Sequence, residues 1–152
     1  MLGSNNLFLP YIHLLSGICF IGLHIGIRAN ACFYVCEDEV SLNKALKNLK
    51  KQMYIFFILM FIIAVSAVMI MIANDSDPIF LALASTQWSL YGFSVLNLFY
   101  IYYQCLLCEK EKENKVLVYN EKIALIVYYL IPLNILISFI GVFFALLIIM
   151  II

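Results

Sequence analysis

The only two imidazoles of the chain, His13 and His24, fall in one uncharged stretch, Leu7 to Ile27, closed by Arg28. Imidazole is the commonest side-chain ligand for metals and haem iron, and an ionisable group in so apolar a segment needs a polar partner. On a helix turning about 100° per residue, the 11 positions between them leave an offset of about 20°, so both lie on one face about 16 Å apart. Gly17 and Arg28 fall on the same stripe, at about 40° and 60° from His13. One haem cannot take both histidines, because they stand one above the other on one helix. By depth, His13 lies about 9 Å and Met69 about 6 Å inside the same membrane boundary, which permits a His13/Met69 haem. A five-coordinate haem, or one shared with a second subunit, is equally compatible. For each histidine the alternative is a hydrogen bond to a neighbouring helix.

Thiols form a second constellation. Cys32 and Cys36 stand four apart, and Cys105 and Cys108 form a CxxC. Four thiols at one depth could hold zinc or an iron–sulfur centre, although cysteine is also a routine small apolar packing residue. The CxxC has no βαβ setting, which argues against thioredoxin-like chemistry. Arg28 and Glu121 are charges at the ends of hydrophobic runs. They could pair with each other or with headgroups, and Arg28 has the fork geometry that suits a carboxylate.

The elements that carry these residues are set by composition. The chain is 66% hydrophobic and 12% charged with mean hydropathy +1.05, which marks an integral membrane protein. Uncharged runs cover Leu7–Ile27, Met53–Ala73, Pro78–Cys108 and Ile123–Ile152. A bilayer core takes about 20 helical residues, so the expectation is an all-α bundle of four transmembrane helices at about 7–36, 41–73, 78–108 and 120–150, forming one membrane domain over 1–152. The third and fourth runs exceed one span and must tilt or protrude.

Five basic residues follow the first run (Arg28, Lys44, Lys47, Lys50, Lys51) and four follow the third (Lys110, Lys112, Lys115, Lys122). The positive-inside rule makes both loops cytoplasmic and places the N-terminus, the turn Asn74–Asp77 and the C-terminus outside. This is the topology of a multi-pass inner-membrane protein. The first run has no basic n-region and is too long for a signal-peptide core, so it is expected to stay as a helix.

Along the chain, Gly22 and Gly26 form a GxxxG pair opposite the histidines, expected to pack against another helix. Ser41 is a plausible N-cap for an amphipathic segment, Leu42 to Gln52, leading into the second span. The interior face of the third run is expected to include Thr86, Asn97, Gln104 and Cys108. Pro132 should free the Tyr128 carbonyl and kink the fourth run, after which Asn134, Ser138, Gly141 and Ala145 form a small, polar contact stripe. There is no nucleic-acid signature, nucleotide loop or hydrolase constellation.

The order of these features resembles the small four-helix membrane proteins of the HemJ type, protoporphyrinogen IX oxidases, and the related CopD-like membrane domain. The resemblance rests on His13 early in the first helix, the glycine and Arg28 about 9 and 15 residues later, and KKQMY leading into the second. Trp88, YYQCLLC and the Asn120–Glu121 pair complete it. It implies haem binding with His13 as an axial ligand; the corresponding expectation is a haem b protein in which His24 and, by its depth, Met69 are further candidate ligands, Arg28 holds a propionate or substrate carboxylate, and Asn120 with Glu121 completes the inner polar end. It also implies oxidation of porphyrinogen with electrons passed to a membrane acceptor such as quinone. The family usually carries a lysine and a histidine where this chain has Gly92 and Gln104. A non-catalytic subunit, an assembly or binding protein, and a copper-handling protein using His13, Met69 and Met71 are the alternatives. The expected partners are the lipid bilayer and a homo-oligomer or larger membrane complex.

Overall fold

The computed structural model describes residues 8–35, 39–73, 78–111 and 116–151, and every described element is helical. α1 spans Phe8–Val35, α2 Glu39–Ala73, α3 Pro78–Glu111, α4 Val116–Leu125 and α5 Ile131–Ile151. A single π-helical turn, Ile126–Leu130, joins α4 to α5. Four stretches are long and apolar enough to cross a bilayer: Phe8–Cys32, Leu46–Ala73, Pro78–Lys110 and Glu121–Ile151. Helix is the form such segments must take, because lipid offers no partner for a backbone N–H or C=O. The turn Asn74–Asp77 lies outside the described residues, as does Cys36, and nothing is described of the Asn120 side chain.

α1 packs against α2 and α5, and α3 against α5 and α2, so the four spans close into a ring. The outward surface is apolar: Phe61, Phe93 and Leu96 are each about two-thirds exposed, as a lipid-facing surface requires. The inside carries both histidines, Ser16, Ser66, Ser94, Gln104 and Asn134, all buried. The apolar core is unequal along the bundle. Towards the basic end, where the lysines cluster, it is thick, built from residues such as Met53, Phe56, Leu98, Ile101 and Ile126. At the opposite end the buried cluster among the described residues is Ile70, Phe80, Ala84 and Ile148.

Local details depart from the sequence expectations in instructive ways. α2 opens at Glu39, so Ser41 lies inside the helix and not at its start. Pro132 has no N–H to give the Tyr128 carbonyl, and the ladder widens one residue earlier: the Ile131 N–H reaches back to the Ile126 carbonyl. Beside that turn, the Asn97 amide of α3 donates to the Leu130 carbonyl at 2.8 Å, tying the distorted segment to its neighbour. Gly22 and Gly26 are exposed, and a Cβ on either would meet nothing within 4 Å. The close approach on α1 is at Gly17 instead, where a Cβ would stand 3.1 Å from Val142 Cγ2 of α5.

Candidate functional site

α1 presents His13, Ser16, Phe20, His24, Ile27 and Ala31 to the interior in one line, the three-and-four spacing of a helix face. Both histidines therefore turn inward, as the spacing predicts. Arg28, at the edge of that stripe, is exposed.

His13 is the meeting point of three helices. Its Nδ1 lies 2.9 Å from Ser66 Oγ and 3.2 Å from the Ile63 carbonyl, both on α2. A carbonyl can only accept, so Nδ1 carries the hydrogen and Nε2 is left as an acceptor. The Gln87 amide of α3 fills that role, its Nε2 donating to His13 Nε2 at 2.8 Å. Ser66 donates its own hydroxyl back to the Ile62 carbonyl at 2.8 Å, leaving its lone pairs for His13. Two cavities flank this contact. One, about 40 Å³, is lined by His13, Met71, Gln87 and Trp88 among apolar neighbours. The other, about 70 Å³, is lined by His13, Gln87, Tyr91, Ser94 and Ser138.

His24 repeats the wiring in different surroundings. Its Nδ1 donates to the Phe20 carbonyl of its own helix at 2.9 Å, and Asn134 Nδ2 donates to its Nε2 at 3.4 Å. The Asn134 oxygen accepts from Ser94 at 3.3 Å. The rings of Phe20 and Phe56 lie 4.4 and 4.0 Å from the His24 ring. The imidazole is thus wedged between aromatic faces at 1% exposure.

The other candidates separate. Met69 is half exposed, and Met71 is the methionine that faces the His13 cavity, its sulfur accepting from the Trp88 indole N–H at 2.8 Å. Arg28 and Glu121 are both exposed and do not pair with each other. Cys105 and Cys108 are fully buried in the core, and Cys32 packs against it half-buried. Among the described residues no group of three or more His, Cys, Asp or Glu side chains is placed to hold a metal ion. Gln104 is buried and Gly92 half-buried, with open space where a Cβ would stand.

Two residues of this site, Gln87 and Ser66, carry no motif in the sequence. Thr86, expected inside, is exposed, its hydroxyl satisfied by the Ala82 carbonyl one turn back at 3.0 Å. A threonine can close that bond on its own helix and face lipid. A glutamine amide has more donors and acceptors than one helix can satisfy, which favours Gln87 for the interior and could have been used to place it.

The fit of a haem b can be judged from these donors. Each imidazole has one nitrogen on a backbone carbonyl and the other on an amide. The two cavities at His13 are well short of the roughly 300–1,000 Å³ of ordinary cofactor pockets. Within one chain, this arrangement offers neither an unengaged imidazole nitrogen nor a haem-sized cavity. No family model, curated protein or solved structure matches this chain.

Proposed function

We propose that the chain is a non-catalytic subunit or assembly protein of a membrane complex, built on a four-helix plan that resembles that of HemJ-type and CopD-like proteins. In this reading both termini face outward, both basic loops face the cytoplasm and the chain resides in the inner membrane. The observation that supports it most is the way both histidines use their nitrogens as ties between helices. His13 joins α1 to α2 and α3, and His24 joins α1 to α5. Such bonds give a bundle its register where lipid supplies no hydrophobic drive for helices to associate.

The oxidoreductase reading implied by the resemblance needs Gln87 to release His13 Nε2 to iron, so the two can be told apart by colour. The purified protein in mild detergent, incubated with haem, is expected to show no Soret band that depends on His13. A band that disappears in His13→Ala would overturn the structural reading in favour of a haem protein.

A second reading, copper handling, draws support from the cavity shared by His13 and Met71. A thioether and an imidazole are the soft and borderline donors that suit Cu(I). Anaerobic Cu(I) titration against a competing chelator tests it. Binding that Met71→Leu abolishes and Met69→Leu preserves would favour it, because only Met71 faces His13.

A further inference from the structure

The larger cavity beside His13 is open on one side and walled mostly by apolar side chains, with a small polar patch among them. Tyr91, Ser94 and Ser138 each contribute a hydroxyl whose hydrogen is already engaged: Tyr91 donates to the Met60 carbonyl at 3.1 Å, Ser94 to Asn134 Oδ1 at 3.3 Å and Ser138 to the Asn134 carbonyl at 2.6 Å. What these three oxygens still offer is lone pairs. Gln87, on the same wall, uses one amide hydrogen on His13 and retains a second N–H and its carbonyl oxygen. A guest must therefore donate to several oxygens and can also accept from one N–H. No carboxylate lines the cavity, so nothing there would offset the desolvation of a cation, and a cation could not accept from Gln87. Water meets both demands. A volume of about 70 Å³ holds a few molecules, at roughly 10–15 Å³ of this measure each, with two to four polar partners apiece.

We propose that this cavity is a hydration site that brings water to the His13–Gln87 contact between the helices. Water there competes with Gln87 for His13 Nε2, which makes His13 the exchangeable imidazole of the chain. His24 serves as a dry reference within the same molecule. It has the same hydrogen-bond pattern, but it is wedged between Phe20 and Phe56, and none of the cavities described includes it. The proposal is independent of which functional reading holds.

The experiment uses the full chain with ¹⁵N-labelled histidine in proteoliposomes, which gives ring signals from two residues only. Magic-angle-spinning NMR then follows polarisation transfer from water protons to each ring. Transfer to His13 is expected to be at least about threefold faster than to His24. Equal rates at the two rings would overturn the proposal. Gly141 lines the cavity with room for a Cβ, so Gly141→Val should fill it and lower the His13 rate towards that of His24, leaving His24 unchanged. An unchanged His13 rate in the folded variant would overturn the placement of the water. If that variant does not fold, Ser138→Ala, which removes one acceptor without adding bulk, should slow transfer at His13 alone, and no change would count against the site.

Discussion

His13 and His24 share one hydrogen-bond scheme and differ in nearly everything around it. In both, Nδ1–H is held by a backbone carbonyl and Nε2 accepts from a side-chain amide. His24 takes its carbonyl from its own helix and fills its surroundings with two phenyl rings in the thick part of the core. His13 takes its carbonyl from α2, its amide from α3, and stands between two cavities where the core is thin. If His13 is hydrated as proposed, bonding pattern alone does not decide whether a buried imidazole is a fixed strut or an addressable group. Packing density around it decides, because close-packed neighbours hold a side chain in one place and exclude any competitor for its nitrogens.

The sharpest way to break this comparison is to remove each ring. His24→Ala should destabilise the bundle by about 3 kcal/mol, since it opens a void between Phe20 and Phe56 and leaves the Asn134 amide without its acceptor. His13→Ala should cost only about 1 kcal/mol, because its site already has room and Gln87 can turn to a cavity for a partner. Reversible unfolding in mixed micelles measures both. Equal losses would show that the two sites are packed alike.

The amides give the next largest effect. Asn134, fully buried, serves His24, Ser94 and, through its carbonyl, Ser138. Asn134→Leu should cost about 2 kcal/mol, near the upper end for polar contacts within membranes. Gln87→Leu should cost about half as much for the same loss of one amide. A larger loss for Gln87→Leu would reverse the assignment of strut and addressable site.

Much of this arrangement is legible in the sequence, and the limits are physical. The run lengths give four spans because bilayer thickness fixes them. The 11-residue spacing puts both histidines on one buried face, and of the stripe Asn134, Ser138, Gly141 and Ala145 the two ends are buried and the middle two half-buried. The reading fails at Thr86 and Gln87, one position apart, because it counted Thr86 as a group needing the interior, whereas its hydroxyl closes on the Ala82 carbonyl of its own helix and the Gln87 amide finds its partner across the bundle. It fails too at Gly22 and Gly26. A GxxxG pair licenses a close approach, but which helix takes it up depends on the ring order, and here Gly17 meets α5 while the pair faces outward. Met69 and Met71 are resolved only by the packed structure, since both lie at the same end of α2 and only their direction differs.

The two faces of α1 carry the comparison to smaller energies. Gly17→Ala places a methyl 3.1 Å from Val142 Cγ2, which should cost about 1 kcal/mol and be relieved by Val142→Ala. Gly22→Ala and Gly26→Ala meet nothing and should be neutral or stabilising by up to about 1 kcal/mol through helix propensity. A clear loss in either would reveal a partner on that face.

The smallest effect is expected at the basic end, where Lys50 of α2 bridges both carboxylate oxygens of Glu109 of α3 at 2.7 Å. The geometry is good, but the Glu109 side chain is 48% exposed, so water and salt screen the pair. Lys50→Ala should cost no more than about 0.5 kcal/mol, falling further as ionic strength rises. The value of this variant lies in its position: Lys50 is on the same helix as Phe56, less than two turns from the ring that wedges His24. If the strut character of His24 comes from close packing, its ring signals and its slow transfer from water should be untouched when the surface pair is broken. A His24 that becomes hydrated in Lys50→Ala would mean that a surface contact, and not the aromatic wedge, keeps that end of the bundle shut.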